Sequence, residues 1–182
     1  MSTTYHKCDA SVRKLASEIL EKFETHKPLT DAGVLVDFVF AYAEKDEKTG
    51  LPIGDALAKN GVKALGIAKK IGLKERALGR GDAEIALDGD WWLMAPEEEK
   101  AALLDHELHH FTVKIDKRGL CTDDLGRPII QIRKHDYEFG WFKIIALRHE
   151  EFSQERIQAR SMMTVSGQLF WPEVAPEKLL KK

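Results

Sequence analysis

The chain has 182 residues and a formal net charge of −2, with 28 Lys and Arg against 30 Asp and Glu. This balance argues against nucleic-acid binding over the whole surface. The length predicts one domain over 1–182, with a core over about 10–165 and a tail over 166–182. No apolar run is long enough to cross a membrane, and the polar N-terminus does not resemble a signal peptide, so we expect a cytoplasmic protein. Its two cysteines, Cys8 and Cys121, are then expected to be reduced.

The N-terminal third is predicted to contain one helix and one strand. Apolar residues recur every three to four positions over 11–25, which predicts an amphipathic helix that ends before Pro28. The β-branched and aromatic residues of 34–42 predict a mostly buried strand. Asp37 is unexpected there; it either pairs with a buried basic group or lies near an edge, and we favour the edge. Residues 44–61 are polar and interrupted by glycines, which predicts a loop.

The next segment is basic, and its secondary structure is ambiguous, since 62–71 could form a strand or a short helix. Between residues 61 and 81, one acidic residue, Glu75, stands against the basic residues Lys63, Lys69, Lys70, Lys74, Arg76 and Arg80. Such a strip could contact a nucleic-acid backbone. The alternative is an ordinary solvated surface.

A five-residue stretch, 106–110, carries the pattern H-E-x-x-H through His106, Glu107 and His110. On a helix, residues four apart lie on one face, one turn apart, so both imidazoles can bind one metal ion. Zinc suits imidazole ligands and keeps a position for water in catalytic sites, and the glutamate can accept a proton from that water. The pattern predicts metal-assisted hydrolysis with Glu107 as the general base. The alternative is a solvated polar face that happens to carry histidines.

The surrounding residues favour the helix that this pattern requires. Pro96 suits the first helical position, and the acids 97–99 suit the positive end of the helix dipole. One apolar stripe contains Ala101, Leu104, Leu108 and Phe111. The other face, roughly opposite, contains Leu103, His106, Glu107 and His110. His109 projects about 100° from His110 and is not expected to share its metal.

The strand predicted just before this helix is a candidate for substrate binding. Residues 83–88 alternate between apolar and polar side chains, which predicts a half-buried strand. A substrate peptide can add to an edge strand beside a catalytic metal, and 83–88 is our candidate for that edge. Trp91 and Trp92 follow, and at least one of them is expected to cover the core.

The segments after the motif are predicted to return the chain towards the metal. Strands at 113–115 and 129–133 would form a β-hairpin. Apolar residues from Phe139 onward predict a second helix, and 151–163 is predicted to be helical as well.

A third metal ligand is expected from the segment between the hairpin and the second helix, because a catalytic zinc usually has three protein ligands. His135 and Glu138 would continue the inner stripe of that helix at its N-terminal end. We favour His135, followed by Glu138 and then Asp136, and those that do not bind the metal could orient a ligand. The alternative is that His135 only caps the helix. Tyr137 is a weaker candidate for stabilising charge on the substrate oxygen.

Two segments together, Leu103–His110 and His135–Phe139, resemble the putative phage metallopeptidase family. In that family an L-L-x-H-E-L-x-H helix precedes a short hairpin and an H-D-x-E-x-F-like segment. In this chain the last apolar residue comes one place early, as Phe139. Residues 66–70 and 83–92 also resemble the upstream strands of the family.

The resemblance implies an α+β, zincin-like fold, in which a small mixed or antiparallel sheet packs on the H-E-x-x-H helix and further helices. It also implies zinc as the cofactor and a phage or prophage origin, hence the cytoplasm of a bacterial host. A broader resemblance is to SprT-like proteases, which act on proteins crosslinked to DNA and join an H-E-x-x-H helix to a later histidine.

The first hypothesis is a zinc-dependent peptidase that cleaves a peptide or protein, with His106, His110 and His135 as ligands and Glu107 as base. The second is a non-catalytic zinc-binding module, in which a fourth protein ligand would replace the water. The third is a nucleic-acid-associated protein that uses the basic strip.

Overall fold

The structure is a computed structural model that describes residues 3–59, 61–136 and 140–170, with side chains up to Met162. The described chain is mixed α/β, with small sheets and seven helices. The helices are α1 (Ala10–Lys22), α2 (Lys27–Asp31), α3 (Leu73–Ala77), α4 (Gly89–Met94), α5 (Glu97–His109), α6 (Lys143–His149) and α7 (Gln154–Phe170). The strands are β1 (Thr3–Lys7), β2 (Val36–Ala43), β3 (Ala58–Lys59), β4 (Val62–Lys63), β5 (Gly66–Lys70), β6 (Ala83–Asp88), β7 (Phe111–Val113), β8 (Ile115–Asp116), β9 (Gly119–Leu120) and β10 (Ile130–Ile132).

The main sheet has four strands in the order β1-β2-β6-β5. β2 and β6 are parallel, while β1 and β5 run antiparallel to their neighbours. The prediction that 83–88 is a half-buried edge strand is therefore wrong, because β6 is an interior strand with every residue buried. Its two polar positions, Glu84 and Asp88, tolerate burial because lysine and arginine side chains pair with them.

The edge of this sheet is β5, so the ambiguous segment 62–71 forms strands and not a helix. Asp88 N–H donates to the Leu65 carbonyl at 2.8 Å, and Ile71 N–H donates to the Asp82 carbonyl at 2.9 Å. Backbone groups alternate sides along a strand. The backbone N–H and C=O groups of the odd-numbered residues in this segment therefore face β6. Those of the even-numbered residues point to the open edge.

The first helix begins as predicted and ends early. Asp9 caps α1 by accepting hydrogen bonds from the backbone N–H groups of Ser11 and Val12. The helix stops at Lys22, and a 3₁₀ turn leads into α2, where Pro28 occupies the first turn. The buried face of α1 packs in the main core with Leu104 and Leu108 of α5.

The motif helix α5 is buried on more than one face, which differs from the predicted amphipathic pattern. Leu104 and Leu108 face the main core, while Leu103 and Glu107 on the other side are also buried. α5 contacts α1 on one side and β5, α6 and α7 on others, so its polar side chains are enclosed by protein. Polar groups enclosed in this way need partners, and these partners form the site described below.

After α5, the predicted hairpin is confirmed, since β7 pairs antiparallel with β10 through Val113 and Ile130. Its first strand lies earlier than the predicted 113–115, and its second lies within the predicted 129–133. A smaller hairpin of β8 and β9 lies between them. The predicted second helix is present as α6, but it begins at Lys143, later than predicted. His135 therefore lies in an irregular segment between β10 and α6, and Phe139 lies outside the described residues.

Several charged residues that were ambiguous in the sequence form ion pairs. Asp37 lies on β2, an interior strand, and accepts hydrogen bonds from Arg80 Nε at 2.8 Å and from Gly81 N–H at 3.0 Å, so the favoured edge position is wrong. Four members of the basic strip pair with carboxylates: Lys63, Lys69, Arg76 and Arg80. Much of the positive charge in this strip is therefore neutralised within the described chain.

The remaining predicted features concern the cysteines and the C-terminal region. Cys8 is buried, Cys121 is partly exposed, and both are free thiols. The helix predicted at 151–163 is present and continues to Phe170, into the predicted tail, and residues 171–182 lie outside the described chain. Among the described helices, none has both the length and the hydropathy needed to cross a bilayer.

One buried carboxylate, Asp105 of α5, joins three parts of the fold. It accepts hydrogen bonds from His26 Nε2 at 2.6 Å, from His149 Nε2 at 2.8 Å and from Arg148 Nη1 at 3.2 Å. His26 follows α1, and the other two end α6. Burial alone would raise the pKa of Asp105, but the hydrogen bonds from His149 and His26 outweigh it and hold the pKa well below its usual range.

We expect Asp105→Asn to lower the free energy of unfolding by about 3 kcal/mol near neutral pH, because Arg148 loses a buried anionic partner. A carboxyl group whose pKa is lower in the folded state stabilises above its ordinary value of 3.8 and loses that contribution as the pH falls below it. The gap between wild type and variant should therefore shrink below about pH 4. Denaturant unfolding across this pH range measures it.

The matched control is Asp124→Asn, at an exposed turn position, where we expect a change below about 0.5 kcal/mol. Equal losses in the two variants, or a gap that stays constant into acid, would contradict the role assigned to Asp105.

Candidate metal centre

Three imidazoles, those of His106, His110 and His135, converge in the structure and are called here the candidate metal centre. One ring nitrogen of each lies within 4.8 Å of those of the other two. His106 Nε2 and His135 Nε2 are 3.3 Å apart, and the His110 and His135 ring centroids are 4.5 Å apart. In the described part of the chain, this is the one such group of three or more potential metal-binding side chains.

Hydrogen bonds between His110 and Arg133, the residue that follows β10, bring His135 to the centre. Arg133 N–H donates to the His110 carbonyl at 2.6 Å, and His110 Nδ1–H donates to the Arg133 carbonyl at 2.9 Å. A carbonyl oxygen only accepts, so the proton of His110 is on Nδ1 and its Nε2 carries a lone pair. Burial lowers the pKa of His110 to about 3, which keeps the ring neutral and suited to metal binding.

His106 is oriented by Glu155, a buried residue of α7 that the sequence analysis did not identify. His106 Nδ1–H donates to Glu155 Oε1 at 2.6 Å, which leaves Nε2 facing His135. Burial lowers the pKa of His106, but the bond to Glu155 and the nearby charge of Glu107 outweigh it and raise the pKa above its usual value. Glu155 lies in a predicted helix without any motif, so no local pattern indicates this contact.

A carboxylate that accepts from the outer nitrogen of a histidine is the usual companion of a metal-binding imidazole. It fixes the tautomer and the orientation of the ring. The second oxygen of Glu155, Oε2, is buried and has no hydrogen-bond partner among the described residues.

Phe142 forms a wall against all three imidazoles. Its ring centroid lies 5.0 Å from that of His106 and 4.9 Å from those of His110 and His135. The side chain is fully buried at the start of α6, so it restricts ring rotation and excludes water from one side of the centre. The sequence marked Phe142 only as an apolar position of a helix.

His109 lies apart from this group, as its position on the helix predicts. Its Nε2 accepts a hydrogen bond from Arg133 Nη1 at 2.6 Å, and its ring packs edge-on against His26. Burial and the adjacent Arg133 lower the pKa of His109 to about 4, so the ring is neutral and able to accept.

Glu107 is buried beside the three imidazoles, in the wall of a cavity of about 470 Å³ that they also line. Its carboxylate lies against Gly66 of β5, where an added Cβ would come within 2.6 Å of Glu107 Oε1. The backbone N–H of Ala68, on the open edge of β5, donates a hydrogen bond to it. Burial raises the pKa of Glu107, and His106 opposes this shift.

Among the other predicted ligands, Asp136 is described and is not part of the group. Asp136 accepts a hydrogen bond from Lys143 N–H at 3.0 Å through Oδ2, so it caps α6. Glu138 and Tyr137 lie outside the described residues. His135 itself is partly exposed, and burial followed by the charge of His106 lowers its pKa to about 4, so it too is neutral.

A larger cavity, about 730 Å³, lies elsewhere. It lies against Val39, Ile67 and Ala86, on the face of the sheet opposite the main core, and none of the predicted site residues lines it. Volume alone therefore does not identify the site, whereas the convergence of titratable side chains does.

Comparison with known proteins agrees with the motif and with the clustering of histidines. The profile of the family described as putative phage metallopeptidase matches residues 4–163, which cover α1 to the first half of α7. No curated protein and no solved structure matches the chain significantly. The match spans far more than half of the sequence, and the chain therefore belongs to the putative phage metallopeptidase family.

Proposed function

We propose that the chain is a zinc-dependent peptidase with a zincin-like site, in which His106, His110 and His135 bind the metal and Glu107 is the general base. The observation that carries the proposal is the convergence of three imidazole nitrogens within 4.8 Å of one another, beside a buried glutamate. The family is a metallopeptidase family, which agrees with this chemistry and with a protein or peptide substrate.

The donor set suits zinc. Neutral imidazoles are good zinc ligands, and two of the three have their outer nitrogen bound to an oxygen acceptor, Glu155 or the Arg133 carbonyl. Asp136, one candidate for a fourth ligand, accepts the Lys143 N–H and is not in the group, which agrees with an open catalytic site. Zinc bound there would polarise a peptide carbonyl and lower the pKa of a water molecule.

Glu107 is suited to move the proton. Its carboxylate accepts one from the attacking water and then donates it to the nitrogen of the leaving amine. Burial raises its pKa, which favours a group that must take up a proton and release it in one cycle. The Ala68 N–H holds the Glu107 carboxylate in the cavity that the three imidazoles also line. Gly66 leaves room for the carboxylate because it has no side chain.

The substrate strand would add to β5 and not to 83–88. β5 is the edge strand of the main sheet and has no strand partner on its outer side among the described residues. Its even-numbered residues point their backbone groups to that side, next to Glu107. A peptide paired there gains main-chain hydrogen bonds that do not depend on its sequence.

We also propose that residues of about 10–165 act as one domain, since α5 packs at once against α1, the sheet and α7. A phage-encoded peptidase of this kind would meet its substrates in the cytoplasm of the bacterial host.

The first test replaces the base. Glu107→Gln should retain one zinc per chain, because Glu107 is not a ligand. It should lower peptide hydrolysis by a factor of about 10² to 10⁴, because the amide cannot accept the proton. Metal analysis and a mass-spectrometric assay on a mixed peptide library measure the two effects.

Glu98→Gln, on the exposed start of α5, is the matched control. Undiminished hydrolysis by Glu107→Gln would refute the assigned base.

A second test addresses the carboxylate behind His106. Glu155→Ala should weaken zinc binding by about 10- to 100-fold, because His106 loses the acceptor that fixes its tautomer and orientation. Competition with a chromophoric chelator measures the affinity directly, without any need for turnover.

The matched control is Gln158→Ala, one turn along α7, which lines the same cavity but bonds Trp141 Nε1 at 2.8 Å and not a histidine. We expect its zinc affinity to stay within about threefold of wild type. An unchanged affinity in Glu155→Ala would remove Glu155 from the account.

A further inference from the structure

A second cavity, of about 440 Å³, adjoins the candidate metal centre. Its walls share Lys59, His110 and His135 with the cavity that contains Glu107. Ile132, Arg133, Lys134 and Asp136 complete it. The imidazoles of His110 and His135 therefore stand between two cavities, so a peptide bound across the centre would extend into one cavity on each side of the scissile bond.

The charges of the second cavity are unbalanced. Three cations, Lys59, Arg133 and Lys134, line it against one carboxylate, Asp136, which is an excess of two positive side chains. The carboxylate of Asp136 already accepts the Lys143 N–H at 3.0 Å. Within the described chain, neither Lys59 nor Lys134 forms a salt bridge, and both are exposed.

Arg133 adds a fixed charge at the same place. Its Nη1 donates to His109 Nε2 at 2.6 Å, and a ring that accepts this hydrogen bond carries no negative charge, so the bond holds the guanidinium without neutralising it. Arg133 is also tied to His110 through its backbone, so this cation keeps a constant position relative to the centre.

The cavity that contains Glu107, the first of the two, has no such excess of positive charge. It contains Lys59 and Lys63 against the carboxylates of Glu107 and Glu155, and Lys63 Nζ lies 3.7 Å from Asp88 Oδ2. Its other polar side chains include the amides of Gln154 and Gln158. The excess positive charge is thus confined to one side of the candidate metal centre.

We propose that the second cavity binds a carboxylate of the substrate, so that cleavage favours peptides with a negative charge on one side of the scissile bond. This inference rests on the proposed peptidase function. The carboxylate can be an acidic side chain or the C-terminus of the peptide, since Lys59, Arg133 and Lys134 offer the same donors to either. Each exposed lysine is expected to contribute a few-fold in affinity, and two together about tenfold.

The test measures binding apart from turnover, with zinc-loaded Glu107→Gln protein and three fluorescent peptide pools of randomised sequence. One pool has a fixed glutamate and an amidated C-terminus, one has neutral residues and a free C-terminus, and one is neutral and amidated. We expect one charged pool to bind about tenfold more tightly than the neutral amidated pool at low salt, and this preference to weaken as salt is added. The pool that gains identifies the source of the carboxylate.

Two double variants in the same background assign the preference to the cavity. Lys59→Gln with Lys134→Gln should abolish it. Lys48→Gln with Lys117→Gln removes the same charge from exposed positions outside both cavities and should leave it unchanged. Zinc content and melting temperature should match in all variants, so that a loss reports charge and not folding.

Equal binding of the three pools, no binding of any pool, or an equal loss in both double variants would overturn the inference. Binding of a single-stranded oligonucleotide through Lys59 and Lys134, without binding of the acidic pools, would also overturn the inference. Hydrolysis of the same pools by the wild-type protein reports the proposed function separately. Cleavage without a preference for charge refutes only the carboxylate pocket, whereas a charge preference without cleavage refutes only the peptidase.

Discussion

Two hydrogen bonds between His110 and Arg133 join the end of α5 to the end of β10, and the candidate metal centre depends on them. The helix alone places two imidazoles on one face, which is a consequence of its period. The third comes from a segment without regular structure, whose position is fixed because the chain leaves β10 already bonded to the last residue of the motif. These bonds also set the tautomer of His110. The same contact between His110 and Arg133 therefore positions His135 and leaves Nε2 of His110 able to bind a metal.

The rest of the fold encloses this arrangement. Phe142 packs on the three imidazole rings, and Glu155 of α7 accepts a hydrogen bond from His106. On the other side of α5, Asp105 forms hydrogen bonds with the segment after α1 and with the end of α6. Burying the polar face of a helix in this way costs free energy unless each polar group has a hydrogen-bond partner. Nearly every polar group on this face has one. The enclosure limits motion of the imidazoles, and the two cavities beside them leave room for a substrate.

The sequence predicted the local parts of this site and missed the non-local ones. The grouping of His106 with His110 follows from helical spacing, and the main strands follow from composition. His135 was selected as the N-terminal continuation of the second helix, but α6 begins only at Lys143 and His135 lies in the irregular segment before it. Glu155 carried no pattern at all, since its role depends on packing between α5 and α7. The edge strand was misassigned because Glu84 and Asp88 looked solvent-facing, while ion pairs bury them.

X-ray absorption spectroscopy of the zinc-loaded protein tests the central claim most directly. The account predicts one zinc per chain, with three imidazole nitrogens at about 2.0–2.1 Å, one further light atom from a non-protein ligand, and one nitrogen fewer in His135→Ala. A first shell completed by a fourth protein ligand, a shell unchanged in His135→Ala, or no stoichiometric zinc would contradict it.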